Sequence, residues 1–431
     1  MATTRLTRTL GTPTNRKKLT ASMWLKKSFN GTEKHFFGMG TSGGYLDFRF
    51  ANTGELELYH YNSGYQFRLT TTRKFRDTNA WYHLVFTIDT TLGTADDRFK
   101  VYVNGVQETV LTNRTNPSQD YEIGANASGN TISVGNYGTN TNNSFDGIIS
   151  HVHFSDGYAY DPTPFGETDN ATGEWKIKTS VTGVTYGNNG FWWLKDTIAT
   201  TDHSSNSNTF TVGGGTLTKT EDNPSNVFAT WNSILQGGNM TFANGNTTAT
   251  LGGISRGFAS TLGSNSGKFY YEAKLVSGTY FQNGIVKTSY LWNNDDVWNG
   301  KTGAIVYRET GEVYKDGSNV SSGFATLSSG DYIMVAVDLD NNKLYFGKNG
   351  TWGNSGDPTS GSTGTGAISI DSDEYCFACS GASNTIQANF GNGYFGTTAV
   401  ASAGTNASGI GIFEYDVPTG YTALSTKGLN E

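Results

Sequence analysis

Two stretches of the sequence are nearly alike. Residues 98–109 read RFKVYVNGVQET, and residues 342–352 read NKLYFGKNGTW. In each stretch apolar and polar side chains alternate and then meet an Asn-Gly pair, Asn104-Gly105 in one and Asn349-Gly350 in the other. Asn and Gly tolerate the positive φ angles of a type I′ turn, so both stretches predict a strand that ends in a β-hairpin.

The same alternation recurs along the whole chain, in runs bounded by Gly, Asn, Asp, Ser and Thr. The chain has 56 Gly but 7 Pro, and Tyr, Phe and Trp number 23, 25 and 9. Aromatic residues suit pleated, half-buried surfaces, and no stretch of a dozen residues holds a helical period. The sequence therefore predicts an all-β protein.

The alternating pattern fades at residues 196–224, which are polar and rich in Gly, Ser and Thr. We expect a connector there, between a first domain at 1–195 and a second at 225–431. The two Asn-Gly segments share no longer similarity around them. They therefore indicate two different domains that use the same local device, and not a duplication.

Charge and composition exclude several function classes. The net charge of −7 argues against nucleic-acid binding, which needs clustered Lys and Arg. No apolar run approaches the ~20 residues that span a bilayer, and the start of the chain lacks the apolar core of a signal peptide. Cys376 and Cys379 lie in a strand pattern without a second pair, so we interpret them as buried free thiols.

The first half resembles the laminin-G-like, concanavalin A-type jelly rolls. The matching phrases are NRKKLTASMWLKKS, NAWYHLVFTIDTT, DRFKVYVNGV, FDGIISHVHFSDGYAYDPTPFGETDNATGEWK and YGNNGFWW. The second half resembles a SPRY domain in GKFYYEAKL, SSGDYIMVAVDLDNNKLYFGKNGTW, YCFACS, IQANFGNGYF and YDVPTGYTALST. The resemblance implies two concanavalin-like antiparallel β-sandwiches in tandem. A laminin-G-like domain followed by a SPRY domain resembles the domain order of tail or head fibres of marine phages.

This resemblance implies a non-catalytic virion protein of the fibre or decoration type, on the exposed surface of the particle. Its expected partners are other virion proteins and a host-surface glycan or protein, and we expect a homo-oligomer, with a trimer as one option. Three alternatives stay open. They are a purely structural capsid or tail protein, a polysaccharide-degrading enzyme and a cellular adhesin.

Catalysis has little support in the sequence. The glucanases among the concanavalin relatives resemble one another in a strand with Glu-x-Asp-x-x-Glu, which this chain lacks. Its nearest carboxylate pairs are Glu55/Glu57 and Asp338/Asp340, which we interpret as structural. His151 and His153 supply half a metal site at best. We therefore expect no enzyme.

The sequence predicts a ligand site in the loop SYLWNNDDVWNG at 289–300. Aromatic rings beside Asn and Asp are typical of sugar sites, whereas the alternative is a ring that covers the end of the core. The candidate ligand-binding residues are Trp292, Asn293, Asn294, Asp295, Asp296 and Trp298. No cofactor is expected apart from calcium, for which the paired carboxylates Asp96, Asp97, Asp295 and Asp296 are candidate ligands.

Overall fold

The computed structural model describes residues 4–195, 201–234, 238–290 and 298–430. The chain divides into two compact units, residues 1–219 and residues 220–431. Both consist of strands joined by turns and short 3-10 helices. Within the described residues, no helix is long and apolar enough to cross a bilayer. The predicted all-β class is confirmed.

Unit 1 contains sixteen described strands and the short 3-10 helices Ala95–Asp97 and Gly124–Asn126. The strands are β1 Arg5–Thr9, β2 Lys18–Lys27, β3 Lys34–Thr41, β4 Gly44–Phe50, β5 Glu55–Asn62, β6 Tyr65–Lys74, β7 Trp81–Asp89, β8 Phe99–Val103, β9 Val106–Gln107, β10 Leu111–Thr115, β11 Thr131–Val134, β12 Gly147–Asp156, β13 Gly166–Thr168, β14 Trp175–Ile177, β15 Phe191–Trp193 and β16 Thr211–Gly213.

The strands of unit 1 form two large antiparallel sheets. Sheet A has the order β10-β6-β5-β4-β3-β11-β1-β16, and sheet B has the order β15-β12-β2-β7-β8-β9. Their inner faces share one apolar core, in which the rings of Phe48 in sheet A and Phe86 in sheet B lie 4.4 Å apart. The small hairpin β13-β14 lies outside both sheets. Unit 1 is thus a sandwich whose inner faces are apolar because alternate residues point inward.

Unit 2 contains seventeen described strands, with 3-10 helices at Trp298–Gly300, Gly353–Ser355, Pro358–Thr363 and Gly428–Asn430. The strands are β17 Met240–Ala243, β18 Thr248–Leu251, β19 Arg256–Ser264, β20 Lys268–Ser277, β21 Tyr280–Lys287, β22 Ala304–Arg308, β23 Val313–Lys315, β24 Ser318–Ser321, β25 Tyr332–Asp338, β26 Lys343–Lys348, β27 Thr351–Trp352, β28 Ile368–Ser369, β29 Tyr375–Ala382, β30 Asn384–Asn389, β31 Tyr394–Phe395, β32 Thr398–Ala399 and β33 Thr422–Ala423.

Unit 2 is a second sandwich with a different strand order. Sheet C runs β17-β18-β30-β20-β25-β26-β27, with β28 beside β26 and β33 parallel to β20. Sheet D runs β19-β29-β21-β22-β23-β24. Tyr271 of sheet C meets Phe377 of sheet D across the core, with ring centroids 4.3 Å apart. The predicted tandem of two antiparallel sandwiches is therefore confirmed.

Both Asn-Gly pairs form the predicted hairpin turns, and both do so by the same device. Asn104 and Asn349 have a φ of 48°, and the glycines that follow have φ of 80° and 83°. The Asn104 amide donates to the His83 carbonyl at 2.9 Å, and the Asn104 Oδ1 accepts from the His83 amide at 2.8 Å. Asn349 makes the same two bonds with Tyr332. The asparagine side chain thus supplies a ladder bond beyond the end of the strand.

Part of the region predicted to be a connector belongs to unit 1. Strand β16 pairs with β1, and the indole of Trp193 donates to the Asn208 carbonyl at 2.7 Å. The carboxylate of Asp202 accepts from the Trp192 amide at 2.8 Å. The sequence did not predict this short edge strand, because its composition is polar and its partner strand β1 lies about two hundred residues away in the sequence.

Substitutions at Asn104 separate two contributions to the stability of the protein, the side-chain hydrogen bond of Asn104 and its positive φ angle. We expect Asn104→Gly to lower the free energy of unfolding by about 1 kcal/mol, because the side-chain acceptor is lost while positive φ stays favourable. Asn104→Ala adds a further ~1 kcal/mol of backbone strain. Asn104→Asp keeps the acceptor and serves as the control. Urea denaturation, monitored by tryptophan fluorescence, measures the order of stability among these variants. Equal stability of Asn104→Ala and Asn104→Asp would contradict the prediction.

Candidate functional site

The outer face of sheet A carries polar and aromatic side chains in the middle of the sheet. In β4, Leu46 and Phe48 are fully buried in the core, so Tyr45, Asp47 and Arg49 point to the other side. Antiparallel pairing places residues of β5 next to them. The cross-strand pairs are Tyr45 with Tyr61, Asp47 with Tyr59, Arg49 with Glu57 and, on the far side of β5, Tyr59 with Arg68 of β6.

Five tyrosines form a continuous patch on this side of the sheet, which we call the tyrosine face: Tyr45, Tyr59, Tyr61, Tyr65 and Tyr137. The ring of Tyr45 stacks on Tyr137 at 4.7 Å and on Tyr61 at 5.6 Å between centroids. Tyr65 meets Tyr61 and Tyr59 edge to face at 5.7 and 5.2 Å. These ring contacts hold the tyrosines in fixed orientations relative to one another.

A glycine lets Tyr137 reach this patch from the loop after β11. A Cβ atom on Gly38 would lie 2.5 Å from the Cβ of Tyr137 and 2.3 Å from the carbonyl oxygen of Leu46. Any larger residue at position 38 would therefore displace Tyr137 from sheet A. Tyr65, at the other end of the patch, is 48% exposed.

A chain of ion pairs lies beneath and beside the tyrosines, and we call it the ion-pair network: Glu33, His35, Asp47, Arg49, Glu57 and Arg68. Asp47 is fully buried, and both of its carboxylate oxygens lie 3.0 Å from Nδ1 of His35. His35 Nε2 lies 3.3 Å from Glu33. Three cationic side chains therefore face three carboxylates.

Two arginines complete the network around Glu57. Arg49 donates from Nε to Glu57 at 2.8 Å and reaches Glu33 with Nη1 at 3.0 Å. Arg68 donates to the other Glu57 oxygen. Each guanidinium also lies 5.0 Å over a tyrosine ring, Arg49 over Tyr59 and Arg68 over Tyr65. These contacts fix the tyrosines as well as the charges.

The hydroxyl groups of Tyr45, Tyr59 and Tyr137 stay protonated near neutral pH. Burial, followed by the charge of Asp47, raises the pKa of Tyr137 to about 12. Burial and the same charge raise the pKa of Tyr59 further, and Tyr59 hydrogen-bonds Asp47. Burial also raises the pKa of Tyr45. These three residues therefore carry neutral hydroxyl groups, which can both donate and accept hydrogen bonds.

His35 is cationic at neutral pH despite its burial. Burial by itself lowers the pKa of His35, but hydrogen bonds and charge from Asp47 and Glu33 outweigh it and raise the pKa to about 9. A raised folded-state pKa means that protonation of His35 stabilises the folded protein. This contribution is complete below the unfolded pKa of about 6.5 and is lost as the pH rises through about 9.

The pH dependence of stability tests this assignment. We expect wild type to exceed His35→Gln in unfolding free energy at pH 6, with a protonation-linked part on the order of 3 kcal/mol that disappears by about pH 9.5. Thermal unfolding of both proteins across this range measures the difference. A constant difference between pH 6 and 9.5, or an NMR titration of His35 near 6.5, would contradict the assignment.

Segments of the chain pack on parts of the outer faces of the other sheets. On sheet B, Trp175 of β14 stacks with His83 at 5.9 Å. On sheet C, Phe413, Val417 and Tyr421 pack against strand residues that include Tyr270. On sheet D, Trp298 packs in a cluster with Val286, Val306 and Ala378. On the tyrosine face, by comparison, Tyr65 is exposed, Tyr45, Tyr61 and Tyr137 are half-buried, and Tyr59 is buried.

Trp298 packs on the outer face of sheet D, where it is buried among apolar side chains. It is 4% exposed, and its indole donates to the Cys379 carbonyl at 2.8 Å. The ring therefore has no free face to stack on a ligand, and the binding role predicted for it lacks support. Trp292, Asn293, Asn294, Asp295 and Asp296 lie outside the described residues. Their binding role stays a prediction.

The carboxylates proposed for calcium in unit 1 face cations. Asp96 pairs with Arg114 at 2.9 Å, and Asp97 pairs with Lys100 at 2.8 Å. Asp295 and Asp296 are again outside the described residues. Among the residues that the structure does describe, no group of three or more His, Cys, Asp and Glu side chains could hold a metal ion. Calcium binding by this chain stays a prediction.

The carboxylate pairs considered for catalysis are held by structural contacts. Glu55 pairs with Lys74 at 3.3 Å, and Glu57 lies between its two arginines. Asp338 is fully buried and pairs with Lys268 at 2.9 Å, while Asp340 accepts from the Gly267 amide at 2.7 Å. Each of these four carboxylates is therefore committed to a partner within the fold.

The buried histidines of sheet B also have structural roles. The Trp175 indole donates to Nδ1 of His83 at 2.9 Å, so Nε2 of His83 carries the proton that faces Ser22 Oγ at 2.9 Å. In this tautomer His83 cannot take a proton from Ser22. His153 bonds the Tyr186 hydroxyl at 2.8 Å, and burial lowers the pKa of both histidines.

Sequence reasoning missed the tyrosine face. The signal was present in the outward positions of three consecutive strands, YLDFRF, ELELYHY and YQFRL, where tyrosines alternate with charged residues. A single strand of this kind is unremarkable. Only the register between the strands brings Tyr45, Tyr61 and Arg49 into one surface with Glu57.

Residues 4–160 match the family model of the concanavalin A-like lectin/glucanases superfamily. The match covers less than half of the chain and lies within unit 1. A search of curated protein sequences gives no match.

Solved structures similar to this chain include three SPRY-type domains. The SPRY domain of human HERC1 is 17% identical, with a TM-score of 0.29 over 35% of this chain and 91% of that domain. A human SPRY domain is 14% identical, with a TM-score of 0.27 over 35% and 94% of the two chains. The TRIM65 PSpry domain is 8% identical, with a TM-score of 0.30 over 37% and 88%. The likeness of the second half to SPRY domains stays a resemblance carried by its sequence motifs.

Proposed function

We propose that this chain is a non-catalytic recognition protein on the exposed surface of a phage particle, and that it binds a host-surface glycan through the tyrosine face of unit 1. The observation that carries the binding site is the open tyrosine face above a buried ion-pair network. The phage context rests on the order of the two resemblances in the sequence, a laminin-G-like half followed by a SPRY-like half.

Rigid polar groups support a glycan as the ligand. Sugar hydroxyls need donors and acceptors at fixed positions, and the hydroxyl groups of the stacked tyrosines are such groups. Because the rings and the two arginines are already held by their neighbours, little side-chain entropy is lost when a ligand binds. Tyrosine is also favoured at recognition surfaces for this reason.

A binding role fits the chemistry of the site better than hydrolysis. A retaining or inverting glycosidase needs two carboxyl groups free to act on the sugar. On the tyrosine face Asp47 and Glu57 are buried and ion-paired. They orient the surface and do not face a ligand with a free oxygen. We place other virion proteins and further copies of this chain among its partners on the particle.

Binding measurements with two variants and a matched control test the site. We expect Tyr65→Ala and Tyr61→Ala each to weaken glycan binding about tenfold, the usual effect of truncating a tyrosine that anchors a ligand. Tyr158→Ala removes a 37% exposed tyrosine outside this face and should leave affinity unchanged. A glycan array identifies the ligand, and calorimetry gives the dissociation constants. Equal losses in all three variants would sink the assignment of the site.

Labelling of purified particles tests the location. We expect gold-conjugated antibodies against this chain to bind intact particles at the tail tip or over the head. Gold at the tail tip supports host recognition, while gold over the head supports decoration. Bare particles, beside particles labelled for a known virion protein, would refute the virion assignment and leave the glycan site to stand alone.

A further inference from the structure

Arg68 is less completely engaged than the other arginine of the ion-pair network. Arg49 uses Nε and Nη2 on Glu57 and Nη1 on Glu33. Arg68 donates to Glu57 from Nη2, and its Nε is buried with no hydrogen-bond partner among the described residues. Its side chain is 30% exposed. One of the two guanidiniums around Glu57 therefore has spare donor capacity.

Thr70 provides a second, independent observation. It lies two residues after Arg68 in β6, on the same face of the sheet, opposite Glu57. Thr70 is 8% exposed, and in the described structure its Oγ1 has no hydrogen-bond partner. Two buried donor groups thus share one face of β6, and the Arg68 guanidinium lies 5.0 Å over the exposed ring of Tyr65. Unpaired buried donors are unfavourable, so a ligand oxygen that reached them through a small movement of the side chains would relieve this cost.

The partly exposed guanidinium of Arg68 favours an anionic group over a neutral hydroxyl. Carboxylate and sulfate oxygens accept from an arginine in a forked geometry, and these charge-assisted bonds are stronger than neutral ones. The two guanidiniums share the carboxylate of Glu57, and Arg49 also pairs with Glu33. The positive charge of Arg68 is therefore less fully neutralised than that of Arg49. The chain carries a net charge of −7, so attraction of an acidic polymer must be local.

We infer that the ligand of the tyrosine face is an acidic glycan whose carboxylate or sulfate group is bound by Arg68 and Thr70. This inference rests on the proposed function and narrows it to one class of ligand. Tyr65 and Tyr61 contact the sugar rings or their hydroxyl groups, and Arg68 recognises the acidic substituent. The attraction involves the partly exposed guanidinium of Arg68 and is therefore weakened by salt.

Matched polysaccharides test the inference with the full chain. The probes are polygalacturonate against its methyl ester for the carboxylate, and dextran sulfate against dextran for the sulfate. We expect one acidic member to bind at least about tenfold more tightly than its neutral counterpart, the usual scale of a charge-assisted contact. We also expect this preference to fall as salt is raised from 50 to about 500 mM.

Three variants assign the preference to residues. Arg68→Gln should abolish the preference for the acidic member, and Thr70→Val should weaken acidic binding about threefold while retaining a side chain well suited to a strand. Arg73→Gln is the control, since Arg73 lies in the same strand and pairs with Glu108. Thr70→Val keeps the test decisive if Arg68→Gln does not fold.

The outcomes separate this inference from the proposed function. Equal binding of acidic and neutral members, with Tyr65→Ala still harmful, overturns the acidic ligand and leaves the glycan site intact. A preference that survives both Arg68→Gln and Thr70→Val also overturns it. Absence of binding to every glycan of the array and to all four polymers overturns both.

Discussion

A fully buried carboxylate on the outer side of sheet A constrains the whole candidate site. Asp47 cannot be left charged and unpaired away from water, so His35 lies against it, and Glu33 holds His35 from the other side. Arg49 extends the chain of charges to Glu57. Each charged group is held in place by hydrogen bonds or ion pairs with its neighbours. The tyrosines above them are held in turn by ring–ring and cation–π contacts.

Local chemistry accounts for the parts of the structure that the sequence predicts well. Alternation of apolar residues predicts the strands, and the Asn-Gly pairs predict the hairpins, because each depends on only a few adjacent residues. The bond from the Asn104 side chain to the strand was not predicted, since it depends on the partner strand. The edge strand Thr211–Gly213 was missed because its partner β1 lies at the other end of the unit.

The candidate site required information that a linear pattern lacks. Asp47 and Tyr59 are twelve residues apart and adjacent in space because of the β4-β5 register. Tyr137 arrives from a distant loop through the space that Gly38 leaves. Conversely, the polar neighbours of Trp298 in the sequence predicted an exposed ring. In the structure its indole is buried and donates to the Cys379 carbonyl of sheet D. Polarity of neighbouring residues in a loop does not decide where a large ring packs.

The two sandwiches use their outer faces differently. In unit 2 the segment with Phe413 and Tyr421 covers sheet C, and Trp298 covers part of sheet D. In unit 1 the additional segment with Trp175 covers sheet B, and the middle of sheet A keeps half-buried and exposed tyrosines. This difference is the reason for assigning recognition to unit 1, although the sequence pointed to a loop of unit 2.

Hydrogen–deuterium exchange of the full chain with and without a bound glycan tests the central claim most directly. The account predicts that added glycan slows exchange in β4, β5 and β6 and in the loop that carries Tyr137, with little change in sheet B. Protection confined to unit 2, or to the hairpin β13-β14, would contradict the claim that the tyrosine face is the recognition surface.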